Sequence, residues 1–194
     1  PFNWHQEQMD AQNPYQPPMA TVDIPKPVIG FGMLFAPSSV KVVVMSLCTF
    51  GLYPIYWFYR NWRAIKIQDR DDIWPVWRAI FSPLWAYSCF NAIKEIAEKR
   101  RAVSAISAGW LAFAYFAINV ASRLPDPYWI FSLLAFVPLL PVNSLIRIHN
   151  RSEGLDHEAN DRFTAWNWLG IVVGGLFLLL VLVGLTLVDD PDLQ

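Results

Sequence analysis

The chain has 194 residues, of which 55% are hydrophobic and only 16% charged, with ten Trp and seven Tyr and a formal net charge of −1. Globular soluble domains carry roughly 25% charged residues, so the composition argues against a soluble fold. The near-zero net charge, with no basic stripe, argues against nucleic-acid binding.

Residues 1–38 contain seven prolines (Pro1, Pro14, Pro17, Pro18, Pro25, Pro27 and Pro37) among Gln, Asn and Asp. Proline fixes φ and removes backbone donors too often here for a helix or a central strand. The segment reads as an extended N-terminal arm, either a free tail or a strap along a partner subunit. No basic stretch followed by an apolar one precedes Ser39, so no secretory signal peptide is expected and insertion would rely on the first span. Ile29–Ala36 is apolar but too short to cross a bilayer and is expected at the interface.

Residues 39–188 read as an all-α transmembrane bundle of about four helices plus a short re-entrant or interfacial helix. The first span is expected from Val40 to Tyr59, capped by Ser38 or Ser39 and kinked by Pro54. Ala79–Ala92, interrupted by Pro83, is the short re-entrant or interfacial piece. Ala102–Ser122 follows, lined by Ala105, Gly109, Ala112, Ala117 and Ala121, small residues that let helices approach closely in lipid. Pro127–Ile146 is the third span, bent or broken by Pro138 and Pro141. Trp166–Val188 is the fourth and carries no charge. Its Gly170 and Gly174 stand at GxxxG spacing, with Gly175 and Gly184 nearby, a pattern read here as a packing face within one bundle rather than a dimer seam. An acidic tail, residues 189–194, closes the chain.

Cys48 and Cys89 both lie in apolar stretches and read as small buried hydrophobes, not as a disulfide or a zinc pair. Trp57, Trp62, Trp129, Trp166 and Trp168 fall at expected span ends, as aromatic belts do. With Ala79–Ala92 not crossing, twelve of the fifteen Lys and Arg residues share one face, against Lys26, Lys41 and Arg123 on the other. The positive-inside rule then makes the basic loops cytoplasmic and puts both termini on the non-cytoplasmic side.

The block Thr49–Trp62, TFGLYPIYWFYRNW, resembles the signature of the DUF4234 family of small bacterial inner-membrane proteins through Thr49, Gly51, Tyr53, Tyr56, Trp57 and Arg60. Trp77–Tyr87, Arg123–Trp129 and Asn160–Asn167 resemble longer relatives. The resemblance implies a bacterial inner-membrane location. It implies no activity, because that family is uncharacterised, and Pro54 departs from its pattern. From the residues themselves, Tyr56, Trp57, Arg60 and Arg63 read as an aromatic-basic rim in contact with lipid headgroups or a partner.

Chemistry-bearing patterns are sparse. His149, Glu153, Asp156, His157, Glu158 and Asp161 share one loop, but their spacing matches neither HExxH nor an EF-hand, and a solvated turn is expected. His149 has no second histidine within a span to complete a haem pair. No G-x-S-x-G occurs, and Ser132 and Ser144 have no His or acidic neighbour. The spans hold no ionisable residue of the kind a coupled transporter places midway. Asn119 and Asn143 are the intramembrane polar candidates, each expected to bond a neighbouring helix. No catalytic residue, metal or cofactor is expected, and enzyme function is disfavoured.

The reading is a non-catalytic accessory or assembly subunit of a larger inner-membrane complex. Its contacts would be membrane lipids and a larger membrane protein, made through the arm, Tyr56, Trp57, Arg60, Arg63, Ala105, Gly109, Gly170 and Gly174; a homo-oligomer is not favoured. The alternatives are a small lipid-handling or transport protein and a metal-dependent membrane enzyme using His149, Asp156 and His157.

Overall fold

The computed structural model describes residues 33–69, 72–99, 106–126, 128–155 and 158–188. The Pro-rich arm up to residue 32, Ala105, Asp156, His157 and the acidic tail lie outside the described residues. All regular elements among those described are helices, with no strand among them.

Helix α1 spans Ser39–Cys48, and the Ser38 hydroxyl accepts from the Lys41 N–H to cap it. It stops because Phe50 and Gly51 both take left-handed backbone, φ 51° and 81°, and the Gly51 N–H closes back on Ser46 O at 2.9 Å. Thr49 serves both sides of this turn: its Oγ1 donates to Met45 O and accepts from the Tyr53 N–H, capping α2, Leu52–Asp69. Pro54 therefore sits in the first turn of a new helix, where no backbone donor is needed, instead of kinking an old one.

The chain reverses here. Tyr53 packs beside Val42 and Met45, whereas Asn61, further along α2, reaches back to Phe35, which precedes α1. The expected span Val40–Tyr59 is thus two legs of an antiparallel hairpin. At about 1.5 Å per residue, α1 is roughly 15 Å long, half the ~30 Å hydrocarbon core.

A second hairpin follows. Lys66 Nζ donates to Ile73 O at 2.8 Å, and the short α3, Pro75–Ile80, lies back along α2, with Val76, Ala79 and Ile80 against Leu52, Ile55 and Tyr59. After a turn at Phe81, α4 runs from Ser82 to Lys99. Pro83 opens this helix where the sequence suggested that it interrupts one. Ala86, Cys89, Phe90, Ile93, Ile96 and Ala97 form its buried stripe at helical spacing. Phe90 stacks on Phe58 at 5.6 Å, and Phe58 meets Tyr115 at 5.2 Å.

Helix α5, Ala108–Val120, is extended by a 3-10 turn over Ala121–Arg123. Its 13 helical residues make it shorter than the expected Ala102–Ser122, because Ser107 is extended where a helix was read. Ser82 Oγ and Tyr115 OH, 3.0 Å apart, tie it to α4. Tyr128–Phe136 is 3-10, and α6, Leu139–Ser152, continues it after a break at Val137 and Pro138. Pro141 lies in the first turn of α6, where it is tolerated. The one-turn α7, Glu158–Asp161, leads to α8, Ala165–Val188.

Two stretches among the described residues are long and apolar enough to cross a membrane, Tyr128–Ser152 and Ala165–Leu185. Four are not seen, because the first expected span folds back and the second shortens. Half of the first stretch is buried in the protein, and none of the second is.

Helix α8 leans on α1 through its glycines. Gly170 faces the Met45 side chain, Gly174 sits against the Cys48 carbonyl, and Phe177 meets Phe50 edge-on at 5.2 Å. A Cβ at Gly174 would overlap Cys48 O and C, both backbone atoms, whereas one at Gly184 would meet nothing. We therefore expect Gly174→Val to destabilise the detergent-solubilised protein by about 1–3 kcal/mol through overpacking and Gly184→Val to leave its thermal midpoint unchanged. Equal midpoints for the two variants would contradict the α1–α8 contact.

Candidate functional site

Leu34, Phe35, Ala36 and Pro37 are buried at the centre of the helices, not at an interface. An extended backbone cannot satisfy its own polar groups, and buried groups require partners. Four side chains supply them. Asn150 Nδ2 donates to Leu34 O at 2.9 Å, Asn61 Nδ2 to Phe35 O at 3.1 Å, Arg147 Nη1 to Ala36 O at 3.3 Å and Asn143 Nδ2 to Pro37 O at 2.7 Å. The Asn61 amide is used on both sides, because its Oδ1 accepts the Phe35 N–H at 3.0 Å. Asn143 Oδ1 in turn accepts from Trp57 Nε1 at 3.0 Å. Asn143, Arg147 and Asn150 share one face of α6 through the i, i+4, i+7 relation.

Arg147 also forms a two-pronged ion pair with Asp161, at 2.7 and 3.0 Å. This fixes the loop before α8 against the core and commits the Asp161 carboxylate. Above the pair, Lys41 is 7% exposed, and its Nζ donates to Asn160 O at 3.0 Å and Arg162 O at 2.7 Å. The Asn167 amide, oriented to satisfy its neighbours, presents its oxygen to the same ammonium at 3.1 Å. Lys41 and Arg162, expected on opposite membrane faces, are thus joined directly, because α1 and α2 fold back instead of crossing.

Between α1, α2 and the start of α8 lies a cavity of about 430 Å³. Lys41, Arg60 and Arg162 supply its charge, Asn160, Thr164 and Asn167 its neutral polar groups, and Phe35, Tyr53, Tyr56 and Trp166 its aromatic wall. No carboxylate lines it among the described residues. The Arg60 guanidinium lies over Phe35 at 4.6 Å and donates to Tyr56 OH at 2.7 Å. Tyr53 is 6% exposed, and its hydroxyl has no hydrogen-bond partner among the described residues.

The sequence candidates are scattered by this arrangement. Tyr56 and Arg60 join the cavity, and Asn143 joins the ladder. Trp57 is fully buried in the core and belongs to no headgroup rim. Arg63 points outward, its guanidinium 6.0 Å from the Tyr59 ring. Gly109 has no neighbour within 4 Å of an added Cβ, so it makes no close helix contact. Asn119 bonds Tyr115 O in its own helix at 2.8 Å, where a neighbouring helix was expected. No group of three or more His, Cys, Asp or Glu that could hold a metal ion occurs among the described residues. Lys41, Asn61 and Asn150 are not site candidates by sequence, and Tyr53 enters there only through the resemblance of Thr49–Trp62, although an Asn recurring on an apolar helix face is a readable signal of a buried polar contact.

No protein-family model matches the chain, and neither a curated protein nor a solved structure does.

Asn61→Leu keeps volume but strands the Phe35 N–H and C=O. It should destabilise the protein by about 2–6 kcal/mol, at about 1–3 kcal/mol for each of the two buried groups left unpaired, in thermal unfolding followed in detergent. Asn91→Leu, at a surface position where the side chain bonds only the exposed Glu95, should be silent. A silent Asn61→Leu would contradict the ladder.

Proposed function

We propose that this chain is a non-catalytic, multi-pass membrane protein acting as an accessory or assembly subunit of a larger complex in the bacterial inner membrane. The observation that carries the reading is the surface of α8. Its Val172, Leu176, Leu179 and Leu180 are 60–64% exposed, and the large side chains beyond Phe177 stay exposed through Leu182 and Val183, in a helix that runs roughly 36 Å at about 1.5 Å per residue. Contiguous exposed apolar surface of this size marks a lipid or protein contact. The other candidate span, Tyr128–Ser152, is half buried against the rest of the protein, so the bare surface belongs to α8. A larger membrane protein fits a helix left bare on this scale, and Trp74 and Trp110, 69% and 73% exposed, extend the apolar surface elsewhere. The resemblance of Thr49–Trp62 to the DUF4234 signature supports the inner-membrane location.

The orientation we propose differs from the one that charge counting gave when Val40–Tyr59 was taken to cross. Both hairpins, α1–α2 and α3–α4, enter from one face without crossing. Passes then remain for α5 with its 3-10 extension, for Tyr128–Ser152 and for α8. This leaves Arg123 alone opposite every other Lys and Arg of the chain, with Lys26, Arg70, Arg100 and Arg101 assigned by chain continuity. Such a bias is stronger than that of the four-span arrangement. It supports a cytoplasmic N-terminal side and a non-cytoplasmic acidic tail.

Extraction from the native membrane in mild detergent, followed by native sizing and mass spectrometry, should recover a larger membrane protein in stoichiometric amount. Val173→Lys and Leu180→Lys, on the exposed surface of α8, should release it while the chain stays in the membrane. Recovery of a lone monomer or a homo-oligomer would contradict the subunit reading.

A further inference from the structure

We propose that the cavity between α1, α2 and the start of α8 binds the phosphate-bearing headgroup of an acidic phospholipid. Three cationic residues, Lys41, Arg60 and Arg162, line it, and among the described residues no carboxylate lines it and neither arginine is ion-paired. The nearby acid that would neutralise them, Asp161, is held by Arg147. Lys41 gives its donors to neutral oxygens, so it contributes a fixed positive potential instead of an ion pair. Arg60 is positioned by Phe35 and Tyr56 and keeps guanidinium N–H groups free to fork onto an oxyanion.

Two further observations point to a ligand. The Tyr53 hydroxyl is buried at the cavity wall without a partner among the described residues, a state uncommon in native structures and relieved by an acceptor in the cavity. The N-terminus of α8, a 24-residue helix, contributes Trp166 and Asn167 to the lining, with Thr164 just before it, so its positive dipole end faces the same space.

The choice of a lipid over a free anion follows from what surrounds the charges. One part of the cavity wall is aromatic, Phe35, Tyr53, Tyr56 and Trp166, Trp166 stands 79% exposed, and the exposed apolar surface of α8 follows it in the same helix. A phosphate seated by Arg60 and Tyr53 can therefore lay its acyl chains along α8. About 430 Å³ falls within the usual range for a small-molecule site, roughly 300–1,000 Å³, which a bare phosphate would leave largely empty. The site stands apart from the subunit reading, because it needs no partner protein.

The test uses the full chain, delipidated in a neutral detergent and incubated with phosphatidylglycerol, phosphatidylcholine or inorganic phosphate, with native mass spectrometry as the readout. One phosphatidylglycerol per chain should be retained, with at least about tenfold preference over phosphatidylcholine. Charge-assisted hydrogen bonds are strong enough that Arg60→Gln should weaken retention about tenfold or more. Tyr53→Phe, which preserves the ring and the fold, should weaken it about threefold, and Arg63→Gln, outside the cavity, should not change it. Equal retention of the two lipids, or retention unaffected by Arg60→Gln and Tyr53→Phe alike, would overturn the proposal. Binding of inorganic phosphate without lipid retention would overturn the lipid assignment. Should Arg60→Gln lower the thermal midpoint, Tyr53→Phe alone decides.

Discussion

Four successive carbonyls, Leu34 to Pro37, lie buried among apolar side chains, and each is met by a donor from another element. An apolar interior tolerates extended backbone only where such partners exist, and the arrangement of the helices follows from supplying them. Asn61 fixes the depth of α2 relative to the segment before α1, so the two helices must form a hairpin. Asn143, Arg147 and Asn150 fix the register of α6 on the same segment. Arg147 then passes the constraint on to Asp161, which sets the loop leading into α8.

The cavity is a product of this chain of contacts. Because α1 starts immediately after the buried segment, Lys41 is brought beneath the loop that Asp161 fixes, and it closes that loop with two carbonyl hydrogen bonds. Because α2 runs back along the segment, Arg60 stacks on Phe35 and faces the same space. Positive charge is thereby concentrated where α8 begins, at the level where Trp166, Tyr56 and a bilayer's headgroups would meet. The binding and orientation readings thus rest on the same geometry.

The sequence made the helical class, the apolar α8 and the break near Pro138 readable, because each is written in local pattern. The hairpins were not readable in the same way. Val40–Tyr59 has the length and hydropathy of a span, and its reversal depends on left-handed Phe50 and Gly51 together with a tertiary bond from Asn61 to Phe35. Pro54 and Pro83 were read as interruptions because proline in a long apolar run looks the same whether it breaks a helix or begins one. Trp57 was assigned to a rim because its neighbours Tyr56 and Arg60 belong near the headgroups; one residue of rotation puts it in the core against Asn143. The cavity was half legible: Tyr56 and Arg60 were found, whereas Lys41 and Tyr53 meet Arg162 only across more than a hundred residues of sequence.

The most direct measurement is the sidedness of three positions, Ser39→Cys, Asp126→Cys and Glu153→Cys, each exposed at a helix end, in a Cys48→Ala, Cys89→Ala background. Membrane-impermeant maleimide would be applied to intact cells and to inverted vesicles. The account predicts that positions 39 and 153 label from one side and position 126 from the other. Labelling of 39 and 126 from the same side, opposite to 153, would mean that Val40–Tyr59 crosses the membrane and would contradict the hairpin on which the account depends.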